Sequence, residues 1–214
     1  TWIVLRRASG VERAILCPSR VPMQIDRGRI RQARRGPELW GPMAATVPTS
    51  VATLDHALRM YGRLPLAEVL RPAIEAAESG YALHGYEYPY LQDYRHRLFD
   101  SEVLLPVYLT EPKGESGYPE PALAGTCVRL PGLAATLRRL AKAGARDFYS
   151  GEIAATLASE VEAAGGFISR ADLLRVPASV RDVAPARGEF RGRTALSVPS
   201  PAGGSVLAMT LQIL

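Results

Sequence analysis

The chain has 214 residues, 47% of them hydrophobic and 22% charged, which is too apolar for an intrinsically disordered segment. Area scaling gives roughly 9,700 Å² folded against about 33,000 Å² extended, so about 70% of the surface can be buried. No apolar run approaches the roughly 18 residues that a membrane-spanning helix needs. Two cysteines and three histidines at no ligand spacing argue against a disulfide framework, a metal site or a cofactor held by such residues. The net charge is +5, but Lys113 and Lys142 are the only lysines, and this arginine bias reads as a coding background.

Trp2–Leu5 and Val11–Leu16 are β-rich runs separated by a stretch ending Ser9-Gly10, which predicts a hairpin. Cys17 to Pro22 leaves it as an irregular segment, because neither Pro18 nor Pro22 can continue a ladder. Asp26 to Arg35 is arginine-rich and is broken by Gly36-Pro37. A helix starts at Thr49 or Ser50 and runs to Tyr61, with Gly62 expected in the left-handed conformation that stops it. A second starts at Pro65, carries Pro72 inside it and ends at Gly80. Residues 84–99 predict one tyrosine-rich helix, and Ser101 to Thr126 a long surface excursion. Helices follow over Pro131–Ala143, closed by Gly144, and over Glu152–Ala164, with Ser150 as cap. Ser169 to Asp172 is a capping box that opens a short helix. Val180–Val183, Ala186–Phe190 and Arg193–Val198 read as strands, the last two turning at Arg191-Gly192, before a final helix. This order predicts an α+β class. The first strand opening without a leader, with no export signal visible, and the last helix closing without a cap suggest a single partial domain, 1–214, of a longer protein.

Few residues carry chemistry on their own. Asp55 and His56 are adjacent on a helix and point about 100° apart, so they read as packing or surface. Gly203-Gly204 before the last helix could serve an anion or simply a tight strand-to-helix turn. Arg27, Arg29, Arg31, Arg34 and Arg35 lack the interleaved aromatics of a nucleic-acid surface and read as a solvated charged face. Arg20 lies between two prolines with no carboxylate beside it in sequence, a setting for bidentate recognition of a carboxylate or for packing against the hairpin.

Six segments in order resemble the γ-glutamyltranspeptidase family. They are Gly41 to Leu54, Tyr61 to Gly80, Leu133 to Gly151, Ala164 to Leu173, Phe190 to Thr194, and Pro199 to Gly204 with Leu211 to Leu214. The first is similar to the family's VPG-x-VAGL and the third to its FY-x-G. The match is strong over 41–214 and looser over 1–40. Thr49 stands where the family has glycine, Ala202 where it has serine, and Val21 where it has alanine.

The resemblance implies part of a four-layer αββα N-terminal nucleophile hydrolase fold, in a precursor that cleaves itself. Self-cleavage frees a threonine whose own amine is the base, and this threonine forms the acyl-enzyme with a γ-glutamyl amide such as a glutathione-type substrate. That threonine and the small-subunit partner are expected downstream of Leu214, so no catalytic residue is expected within 1–214 and the piece alone is expected to be inactive. No cofactor, metal, nucleic acid or membrane partner is implied, and the bacterial compartment, periplasmic, secreted or cytoplasmic, stays open. The family's carboxylate-gripping arginine corresponds to Arg20, the substrate-binding residue the resemblance gives. The alternatives are a diverged amide acylase of the same superfamily, cephalosporin-acylase-like, or an arginine-rich nucleic-acid-binding module.

Overall fold

The β-rich opening folds as its turn residues dictate. In the computed structural model, which describes residues 1–33, 39–110 and 119–213, β1 (Trp2–Arg6) pairs antiparallel with β2 (Glu12–Leu16), Trp2 opposite Leu16 and Arg6 opposite Glu12. Gly10, at φ 85°, supplies the left-handed residue of the turn. The arginine-rich stretch begins as a helix, α1 (Arg27–Ala33), because Asp26 Oδ1 accepts the N–H groups of Gly28 and Arg29 at 2.7 and 3.1 Å. Arg34, Arg35, Gly36 and Pro37 lie outside the described residues.

α2 (Ser50–Tyr61) and α3 (Leu66–Ser79) follow, and α3 runs through Pro72 to Gly80 at φ 94°. The expected left-handed stop at Gly62 is not adopted: its φ is −77° and its backbone is extended, leading the chain straight toward Pro65. After β3 (Tyr81–Ala82) the tyrosine-rich stretch is two helices, α4 (Glu87–Asp93) and α5 (Arg95–Phe99), separated at Tyr94. The excursion after Ser101 holds α6 (Leu105–Tyr108) and an isolated bridge between Leu109 and Pro121; its residues 111–118 lie outside the described ones. β4 (Cys127–Val128) pairs with β3, and α7 (Pro131–Ala143) leads to Gly144 at φ 81°.

A further helix, α8 (Ala145–Ser150), precedes α9 (Glu152–Ala163). Ser150 is not the cap of α9. It ends α8 with its hydroxyl on Arg146 O, while the Asp147 carboxylate accepts the N–H groups of Glu152 and Ile153. α10 (Arg170–Leu174) opens with the expected capping box, Ser169 and Asp172 bonding reciprocally. β5 (Arg181–Val183) joins β2 rather than its sequence neighbours, giving the order β1-β2-β5. β6 (Ala186–Phe190) and β7 (Arg193–Ser197) form a separate hairpin. Its turn holds Arg191 at φ 50° and Gly192 at φ 72°, the two left-handed residues that suit the twist of paired strands. α11 (Gly204–Ile213) packs on this hairpin.

The chain divides into two compact units, Thr1–Leu64 with Ala143–Leu214, and Pro65–Lys142. In the first, β2 is the central strand, and Ala14, Ile15 and Leu16 are buried in succession. Its helical core joins Cys17, Val47, Ala52, Tyr149, Ala154, Ile168, Leu173 and Val176. The second has a smaller core of Leu83, Ala122 and Val128, flanked by Tyr81, Leu91 and Val107. The accessible surface, 14097 Å², exceeds the roughly 9,700 Å² that mass scaling gives. Large apolar side chains remain exposed, among them Val206, Met209 and Ile213 on α11. No helix among the described residues is long and apolar enough to cross a membrane.

Candidate functional site

β2 ends at Leu16, and the two prolines after it force the chain out of the sheet. The segment from Cys17 to Met23 is then held by long-range polar contacts. Cys17 O accepts the Thr49 hydroxyl at 2.9 Å. Arg20 O accepts the N–H of Val47 at 2.9 Å, an isolated bridge between the two segments. The N–H of Met23 donates to Asp172 Oδ1 at 2.9 Å. Between these anchors the side chain of Arg20 is exposed and makes no hydrogen bond or ion pair with another described residue. An arginine fixed by its backbone and free at its guanidinium is chemically suited to an incoming carboxylate.

Each anchor is buried. Thr49 is 3% exposed and Asp172 5%. Burial pushes the Asp172 carboxyl up, but bonds from the Ser169 hydroxyl and the N–H groups of Met23 and Ser169, with the Arg175 charge, outweigh it and hold the group below its ordinary value. Thr49 occupies the N-cap position of α2 yet does not cap it. Its hydroxyl is committed to Cys17 O, and the hydroxyl of Tyr149 serves the helix instead, accepting the N–H of Ala52 at 2.9 Å and donating to Pro48 O at 3.3 Å. Burial pushes the Tyr149 phenol up to about 12. Burial also pushes the Cys17 thiol up, its Sγ facing Val176 O at 4.0 Å, so Cys17 is a packing residue and not a nucleophile.

The Asp55-His56 pair is not a unit. Asp55 takes Arg59 at 2.9 Å, whereas His56 Nε2 lies 3.2 Å from Asp182 Oδ2 on β5. Asp182 also accepts the Tyr61 hydroxyl and faces Arg13 Nε at 3.7 Å. A cavity of about 550 Å³ beside His56 is lined by Ala52, Arg146, Tyr149 and Leu174; Arg20 is not among its walls. Of the arginine run, Arg29 is engaged internally: it donates to Gly165 O at 2.9 Å and lies 5.1 Å over the Phe167 ring. At Gly204 the geometry supplies a steric reason for glycine, since a Cβ there would overlap Val198 O and Ser197. No cluster of three or more metal-ligating side chains occurs among the described residues.

The resemblance gives Arg20 as the candidate, and the sequence alone does not mark the side chains that hold its segment. Thr49 read as a helix cap and Asp172 as half of a capping box, and both do more. The one signal for Tyr149 was its place in the FY-x-G-like stretch.

Helices and three short antiparallel sheets give an α+β class. The family model described as Gamma-glutamyltranspeptidase matches residues 2–214, and the chain belongs to that family. It is 33% identical over 176 residues to a glutathione hydrolase proenzyme of Pseudomonas aeruginosa, covering 82% of this chain and 29% of the relative. It is 32% identical over 188 residues to an Acylase ACY 1 proenzyme of a Pseudomonas species, strain V22, covering 87% of this chain and 32% of that protein. The crystal structure of Helicobacter pylori γ-glutamyltranspeptidase superposes with a TM-score of 0.80 at 27% identity, over 95% of this chain and 57% of that one. The chain thus spans about a third of the curated relatives' length.

Proposed function

We propose that this chain is the substrate-gripping portion of a γ-glutamyl hydrolase or transferase, with Arg20 binding the α-carboxylate of the γ-glutamyl group. The observation that carries the reading is the Arg20 guanidinium, exposed and unpaired among described residues while its backbone is tied to Val47. Family membership over residues 2–214 supports the activity class. The acylating threonine, with its own amine as base, belongs to chain downstream of residue 214. A small subunit from the same precursor is the partner that would cover Val206, Leu207, Met209 and Ile213, all exposed.

The test uses the precursor with its downstream chain and a γ-glutamyl anilide. Arg20→Ala removes charge-assisted hydrogen bonds worth about 1.5–3 kcal/mol, so KM rises roughly ten- to a hundredfold. Arg20→Lys keeps the charge without the fork and raises it less. Self-cleavage, being intramolecular, survives both. A well-folded Arg20→Ala enzyme with KM within about twofold of the parent would sink the assignment, and Arg27 would be tested next. The relative named as an acylase favours a second reading, amide acylase. It predicts faster turnover of acyl amides that lack the α-amino and α-carboxyl groups.

A further inference from the structure

The Arg20 segment depends on side chains distant in sequence, and one of them reaches it through a relay. Val47 donates to Arg20 O, Pro48 follows it, and Pro48 O accepts the Tyr149 hydroxyl. The same hydroxyl accepts the N–H of Ala52 in the first turn of α2, a donor that no helix carbonyl can take. Thr49, the next residue, fastens the other end of the segment at Cys17 O. Val47 and Tyr149 are each 2% exposed. Thr49 and Tyr149 thus hold residues 47–49, and residues 47–49 hold the backbone on which Arg20 stands.

We infer that Tyr149 and Thr49 are positioning residues for Arg20: their hydroxyls fix the Cys17–Arg20 backbone so that the guanidinium meets a substrate carboxylate already oriented. The inference rests on the proposed role of Arg20. A bidentate pair is sensitive to small displacements because both N–H groups must align at once. Loosening the backbone costs affinity for the carboxylate and leaves the chemistry of acyl transfer alone. Neither hydroxyl touches substrate in this scheme.

The readout is carboxylate discrimination by the processed full-length enzyme. It is the ratio of kcat/KM for a γ-glutamyl anilide to that for the same anilide with its α-carboxylate converted to a carboxamide. Tyr149→Phe removes one hydroxyl without changing the ring, and Thr49→Val keeps the shape of threonine. Each is expected to lower the ratio roughly three- to tenfold, the scale of one lost hydrogen bond, through KM for the acid, with kcat for the carboxamide within about twofold of the parent. Thr49→Ser restores the hydroxyl and the ratio. Arg20→Ala in parallel collapses the ratio toward one. If Arg20→Ala leaves the ratio intact, the carboxylate role of Arg20 fails and the inference falls with it. If Arg20→Ala collapses the ratio while Tyr149→Phe and Thr49→Val only lower the melting temperature, the role of Arg20 stands and the positioning inference is overturned. Should Tyr149→Phe not fold, the Thr49→Val and Thr49→Ser pair decides alone: loss without rescue, or no loss, overturns it.

Discussion

The Tyr61 hydroxyl donates to Asp182 Oδ2 at 2.5 Å, joining the last residue of α2 to the strand that completes the β1-β2-β5 sheet. This bond, with burial and the Asp182 charge, raises the Tyr61 phenol above its ordinary value of 10. A group raised on folding contributes stability below its unfolded value and loses it as pH rises through the folded one. Tyr61→Phe is therefore expected to cost about 1 kcal/mol near neutrality. The cost should shrink above about pH 10. Denaturant unfolding of parent and variant at both pH values checks this, and a constant difference would refute the link.

Asp172 behaves in the opposite sense. Its carboxyl is held below 3.8 in the folded chain, so its contribution is present above that value and disappears as pH falls through the lowered one. Asp172→Asn leaves one oxygen to serve N–H groups that now meet both carboxylate oxygens, those of Met23 and Ser169. The expected loss is about 1–3 kcal/mol at neutral pH, vanishing in acid. Melting curves of the two proteins from neutral pH into the acid range, converging as pH falls, are the measurement.

Gly188 sits where β6 meets α11. A Cβ at this position would lie 2.9 Å from Ala208 Cα and 3.1 Å from Ala208 O, neither of which can move without the helix. Gly188→Ala should destabilise by about 1–3 kcal/mol, and Gly188→Val by more. Equal stabilities in chemical denaturation would show that α11 is not seated as described.

The two thiols should label at very different rates. Cys17 is fully buried with its pKa pushed up by burial, whereas Cys127 is exposed. A maleimide is expected to modify Cys127 alone under native conditions and both only after unfolding. Mass spectrometry of peptides from briefly treated protein would reveal early Cys17 modification, which would contradict its burial.

Local signals were legible and distant ones were not. Ser9-Gly10, Arg191-Gly192 and the Ser169–Asp172 box set their turns and cap within a few residues, and each appears in the fold as read. Helix α8 is hidden in the sequence because it is six residues long and shares Asp147 with the start of α9. The start of α1 was readable in Asp26 and was obscured by the surrounding arginines. Gly62 shows the limit of residue preference: glycine permits a left-handed turn without enforcing it. Around the candidate Arg20, Thr49, Tyr149 and Asp172 act on partners 32, 97 and 149 residues away. No periodicity or spacing records such partnerships.

The pairing of β2 with β5 sets Ile15 opposite Asp182, and the whole second unit is threaded into the chain between them. On the ribosome, the β1-β2 hairpin can close soon after it emerges, yet its inner strand has only one neighbour until residues 181–183 are made. During that interval Ala14, Ile15 and Leu16 present an unpaired apolar edge, the kind of surface that chaperones cover and that strands of other molecules join. Loop-closure entropy grows only logarithmically with length, so the inserted unit adds modestly to the equilibrium cost of closure. Its main effect is on timing, as it prolongs the exposure of that edge during synthesis.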